Sequence, residues 1–83
     1  MKNQDLQVVI TSPRGRWETS FPKTTKVSEV IEAGRQHFGF EPGAFLLRRE
    51  RSGETLAPER PLVSYGIEDG ETLLLVPEMG SGV

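Results

Sequence analysis

The sequence is 83 residues long, with 35% hydrophobic residues, no cysteine and a single histidine, His37. That length holds one domain close to the size at which a single core becomes marginal, and the composition excludes a disulfide framework, a thiol nucleophile and, on this chain alone, zinc or histidine-based catalysis. A net charge of -2 and a pI near 5.4 exclude a general affinity for nucleic acid, although seven arginines permit a local cationic patch.

In chain order, the start MKNQDLQ lacks the apolar run of a signal peptide, and no window approaches the ~20 apolar residues of a membrane span. The expectation is a soluble cytoplasmic protein with no membrane association, with residues 1–5 as a flexible leader to a domain over 6–77. LQVVITS from Leu6 is β-branched and bounded by SPRGR, and WETSF follows with alternating Trp17, Thr19 and Phe21. Together these predict a hairpin that turns at Pro13 and Gly15, with Leu6, Val8 and Ile10 facing the core and Val9 facing outward.

From Val27 the spacing changes to that of a helix, with Val27, Val30, Ile31, Gly34 and Phe38 on one stripe. Thr25 or Ser28 is expected to cap its start, Glu29 and Glu32 suit the positive end of the dipole, His37 suits the negative end, and Gly39 is placed to stop it in the left-handed conformation. Glycine inside a helix costs roughly 1 kcal/mol against alanine. Gly34 is therefore read as a point of close approach, with Phe38 or Phe45 packed over it.

FLLRRE then predicts a third strand, RSGE a turn, Leu56 a short extended piece, and Pro58 and Pro61 an irregular stretch. PLVSYGI has the spacing of one tight helical turn, EDGE is a turn, and TLLLV is a last strand. The order predicts an α+β roll, a mixed sheet of four to five strands with one helix packed across it. After Pro77 the sequence becomes a thread, Glu78 to Val83, in which Gly80, Ser81 and Gly82 are small.

The run LAPERPLVSYGIEDGETLLLV resembles the second half of ubiquitin and its relatives, the β-grasp fold. Leu56, Leu62, Tyr65, Ile67, Leu73, Leu75 and Val76 fall on matching positions without a gap, and the helix matches through Val27, Val30 and Gly39. The likeness runs from Leu6 to Gly82, with the first hairpin turn one residue shorter. It implies a protein modifier similar to bacterial ubiquitin-like modifiers, with no catalytic residue, metal or cofactor of its own. Gly82 lands on the terminal glycine of ubiquitin, Ser81 on the penultimate glycine, and Val83 lies beyond, as in precursors that a peptidase trims.

In such a modifier an activating enzyme uses ATP to adenylate the terminal carboxylate, a conjugating enzyme passes it on, and an amine of a target protein receives it. The chain supplies only an electrophilic carbon on an arm, for which small residues at Gly82 and Ser81 keep the passage narrow. Extended, Pro77 to Gly82 reaches about 20 Å, and Glu78, Met79 and Gly80 complete the stretch that partner enzymes would bind through its backbone. Pro77 is expected to end the strand and free the thread.

Departures from ubiquitin are equally specific. Glu78 and Met79 replace a basic tail, so a dedicated enzyme set is implied. Glu50 stands where ubiquitin has its central surface isoleucine, and a different patch, Val9, Leu74 and Val76 beside Arg48, is expected to face a partner. Glu54 and Asp69 occupy ubiquitin's best known linkage positions, and of Lys2, Lys23 and Lys26 only Lys2 on the leader is a candidate for self-linkage, an ordinary solvated lysine being the favoured reading. LRRER, Leu47 to Arg51, is expected to be a charged strand edge, and the protein by itself a monomer. Two alternatives belong to other classes: a sulfur carrier with a thiocarboxylate at Gly82, or a non-covalent β-grasp interaction module using the outward patch.

Overall fold

The computed structural model of the protein describes residues 5–78. β1 (Asp5–Ser12) and β2 (Gly15–Pro22) form an antiparallel hairpin, in register from Asp5 opposite Pro22 to Ser12 opposite Gly15. Pro13 cannot take the positive φ that tight hairpins favour, so Gly15, at φ 135, makes the reversal. β1 begins at Asp5, the residue counted with the leader.

The helix α1 (Val27–Phe38) crosses one face of the sheet and ends at Gly39 with φ 76, the left-handed stop expected of it. Its start departs from expectation. Neither Thr25 nor Ser28 caps it; Lys26 is the N-cap, and the Glu29 carboxylate accepts the Lys26 N–H at 2.9 Å. The N–H groups of Val27 and Ser28 donate to the carbonyls of Arg60 and Pro58 at 2.9 Å each, so the proline-broken stretch supplies the cap.

β3 (Phe45–Arg49), β4 (Thr55–Leu56), a 3-10 turn (Leu62–Tyr65) and β5 (Glu71–Pro77) complete the chain. The sheet order is β2-β1-β5-β3-β4, with β5 parallel to β1 and antiparallel to β3. The mixed sheet follows from covalent order: the last strand enters between the first and third, and the helix provides the crossover that lets it run parallel to β1. This is the ubiquitin-like α+β fold.

The core lies between α1 and the inner sheet face. Leu6, Val8 and Ile10 of β1, Leu47 of β3, and Leu73 and Leu75 of β5 are all at most 3% exposed, as are Val27 and Val30 of the helix. Gly34 meets this layer directly: a Cβ there would lie 3.0 Å from Leu75 Cδ2 and 3.8 Å from Ile10 Cγ2. The close approach is real but its partner is Leu75, not Phe38 or Phe45, because the helix runs over the central strand. Instead, the aromatic rings line the margin of this layer. Phe21, Trp17, His37, Phe38, Phe40 and Phe45 follow one another in contact, with His37 stacked flat on Trp17 at 4.0 Å.

Candidate functional site

Two features carry the expected function: the end of β5, from which the terminal thread departs, and the sheet face turned away from α1. β5 pairs with β3 from Leu73 opposite Arg49 to Pro77 opposite Phe45, and the Glu78 N–H donates to the Ala44 carbonyl at 2.9 Å. Pro77 therefore does not free the chain. In an antiparallel ladder bonded rungs alternate, and with Glu78 bonded, Pro77 falls on the rung that needs no N–H toward β3. β5 ends at Pro77 as expected, but one further backbone bond carries the pairing past the proline to Glu78. Met79, Gly80, Ser81, Gly82 and Val83, together with Lys2, lie outside the described residues.

On the outer face, strand alternation fixes which side chains appear. Val8, Ile10, Leu47, Leu73 and Leu75 are buried on the inner face, so Val9, Arg48, Leu74 and Val76 turn outward, each partly buried. Leu74 lies opposite Thr11 of β1 and Arg48 of β3, and Val76 lies opposite Leu46. The register adds a member the sequence left out. In FLLRR either of two adjacent leucines could face the core, and only the pairing with β5 shows that Leu47 does, leaving Leu46 beside Val76.

Arg48 sits within this patch, opposite Thr55 as well as Leu74, and its Nε is buried without an acceptor among the described residues. The neighbouring Arg49 behaves differently. Alternation sends it to the inner side, where its Nε and Nη2 donate to the Glu71 carboxylate at 2.8 and 2.6 Å, and its Nη1 and Nη2 donate to the carbonyls of Tyr65 and Gly66. The expected charged edge Leu47 to Arg51 is thus split: Arg48 faces out while Arg49, its side chain 14% exposed, braces the 3-10 turn. Hydrogen bonding from Arg49 holds the Glu71 carboxyl well below the usual range, at about 2, and Arg51 adds a bond at 3.2 Å.

The remaining expected positions are spread out. Glu50 donates its N–H to the Thr72 carbonyl at the end of β3. Asp69 accepts the Gln7 N–H at 2.9 Å, and the Glu54 carbonyl accepts the Arg49 N–H. Lys23 and Lys26 are exposed at the approach to α1. A shallow depression of about 490 Å³ next to Val9 is lined by Gln7, Glu18, Thr19, Ser20 and Gly70. Glu18 is its one carboxylate, and the lining holds no second acid and no histidine or lysine that would activate the Thr19 or Ser20 hydroxyl. Among the described residues no three histidine, aspartate or glutamate side chains converge as a metal site, and no helix is long and apolar enough to cross a membrane.

No protein-family model and no curated protein matches the sequence. Solved structures do. A de novo design based on ubiquitin superposes with a TM-score of 0.79 at 23% identity, covering 99% of this chain and 100% of that one. Ubiquitin of Caldiarchaeum subterraneum gives 0.77 at 20% identity, over 94% of this chain and 99% of that one. The UBL domain of Plasmodium falciparum Dsk2 gives 0.77 at 20% identity, over 89% and 99%. At such identities the likeness shows the fold alone.

Proposed function

We propose that this chain is a ubiquitin-like protein modifier of the kind resembled by bacterial modifiers, working in the cytoplasm and attached to an amine of a target through the carboxylate of Gly82. The observation that carries the reading is the end of β5. The central strand of a ubiquitin-like sheet runs to a paired Glu78, and the next four residues in the sequence lead to Gly82. Four extended residues reach about 14 Å. An activating enzyme, a conjugating enzyme and the peptidase that cleaves before Val83 would thus have to approach the body closely. The outer face, with Leu46 and Val76 one rung from Pro77, is the surface they would meet.

The test is incubation of the purified protein with ATP, magnesium and extract of its source cells, comparing wild type, a form ending at Gly82, and Gly82→Ala. Covalent adducts that need ATP and Gly82 are expected. Unaltered protein under every condition, with Val83 still attached by mass spectrometry, removes the proposal.

A second reading, the non-covalent interaction module, is favoured by the outer face itself. Leu46, Leu74 and Val76 border Arg48, whose guanidinium is suited to a partner carboxylate, and Val9 extends the apolar face across β5, opposite Thr72. If removal of Ser81 to Val83 leaves biological activity intact, this reading replaces the first.

A further inference from the structure

β2 is the edge strand of the sheet, and which of its backbone groups are free follows from a residue on its neighbour. The Gln7 N–H donates to Asp69 Oδ1 at 2.9 Å and its carbonyl accepts the Gly70 N–H at 2.7 Å, so both point away from β2. Gln7 lies opposite Ser20. That rung is therefore the unbonded one of the alternation, and the N–H and C=O of Ser20 face away from β1. Glu18 and Arg16, two and four residues earlier, present theirs to the same free edge. Pro22, at the same phase, has no N–H and closes it.

The side chains along this edge have a pattern of their own. Arg16 and Glu18 stand on the outer face 3.3 Å apart, 62% and 71% exposed, and Trp17 stands between them on the helix face. In an antiparallel pairing with a second copy, the register that sets Trp17 against Trp17 sets Arg16 against Glu18 on both sides. Those two rungs are the ones whose backbone groups face outward from both copies, so they can bond. The Trp17 rung between them is unbonded, the kind in which facing Cα atoms come to about 4.5 Å and side chains pack closely. A register centred on Glu18 opposes two carboxylates, and one centred on Thr19 places Pro22 where an N–H is needed.

From this match we propose that the chain self-associates through β2, edge to edge about a two-fold axis, with Arg16 of each copy against Glu18 of the other and the two Trp17 side chains in contact. Antiparallel edge pairing keeps both helices on one face of a continuous ten-stranded sheet, five strands from each copy. It replaces the expectation of a lone monomer. It does not depend on the terminal thread, and Gly82→Ala leaves it unchanged.

The test is sedimentation velocity on the full chain, with Trp17 emission followed in parallel, over about three decades of concentration up to about 1 mM. A monomer–dimer equilibrium with a blue shift on association is expected. Arg16→Glu or Glu18→Arg alone puts like charges across the pairing and weakens the dimer about ten-fold, whereas the double exchange restores it to within about two-fold. Glu18→Pro, which removes the Glu18 carboxylate and the N–H presented to the free edge but no hydrogen bond to β1, abolishes it while the circular dichroism spectrum is kept. A chain that stays monomeric at the highest concentration overturns the proposal and leaves the edge to an extended segment of another protein. A dimer indifferent to the single reversals, or not rescued by the exchange, overturns it in favour of another face.

Discussion

Leu75 Cδ2 lies 3.0 Å from the point where a Cβ on Gly34 would stand, so the helix rests on the central strand through the absence of a side chain. Two effects oppose each other in Gly34→Ala. Helix propensity gains roughly 1 kcal/mol, while forcing a methyl into a packed layer costs about 1–3 kcal/mol. Gly34 is buried and the atom a methyl would strike belongs to Leu75, itself 1% exposed, so the packing cost is expected to prevail, with a net loss of about 1 kcal/mol in chemical denaturation. In a double-mutant cycle with Leu75→Val, the alanine is expected to become neutral or favourable, because the atom it strikes has gone.

The Arg49–Glu71 pair makes a prediction about acid stability. The Glu71 carboxyl is depressed to about 2, first by the hydrogen bond from Arg49. A carboxyl whose folded pKa lies below its unfolded one contributes stability that is fully present above about pH 4.5 and is lost as pH falls toward 2. The amount is on the order of 2–3 kcal/mol for a side chain only 10% exposed. Glu71→Gln is expected to lose that much at neutral pH and to show a flatter stability profile between pH 4.5 and 2. Glu32, depressed to about 2 by Arg35 on the exposed helix surface, titrates in the same window, so the comparison is made in a Glu32→Gln background.

The stack of His37 on Trp17 is expected to contribute about 0.5–1 kcal/mol beyond the area it covers. Trp17 is the single tryptophan, so one measurement reads the site. His37→Ala is expected to shift its emission to the red and lower the denaturation midpoint, with an unchanged m-value. An unshifted spectrum refutes the contact.

On the outer face, Leu74→Ser paired with Val9→Ser removes apolar area from a surface that is only partly buried, and is expected to cost less than about 1.5 kcal/mol in stability. If partner enzymes meet the body there, Gly82-dependent adducts fall at least about ten-fold while the thermal midpoint falls by no more than about 10 °C. Adduct yield unchanged in the double variant removes the outer face from the proposed function.

Much of this protein was legible in the residues themselves. The period-2 runs marked β1 and β2, the 3.6 spacing marked α1, and Gly39 marked its end, because these depend on which faces a local segment must bury. Val9, Arg48, Leu74 and Val76 were legible for the same reason: each is out of phase with a buried neighbour. Local chemistry failed where a group's partner is far along the chain. Val27 and Ser28 are capped by carbonyls at Arg60 and Pro58, and Pro77 keeps its place because Glu78 finds Ala44.

What the sequence determined by itself was the list of elements and, where apolar and polar residues alternate, the inner and outer sides of each, since hydrophobic spacing is a property of a short segment. The tertiary structure alone decided who meets whom. Strand order put Leu75 rather than an aromatic ring beneath Gly34, gave Arg49 its partner Glu71, and left β2 with a free edge, because register is a relation between strands that no single strand contains.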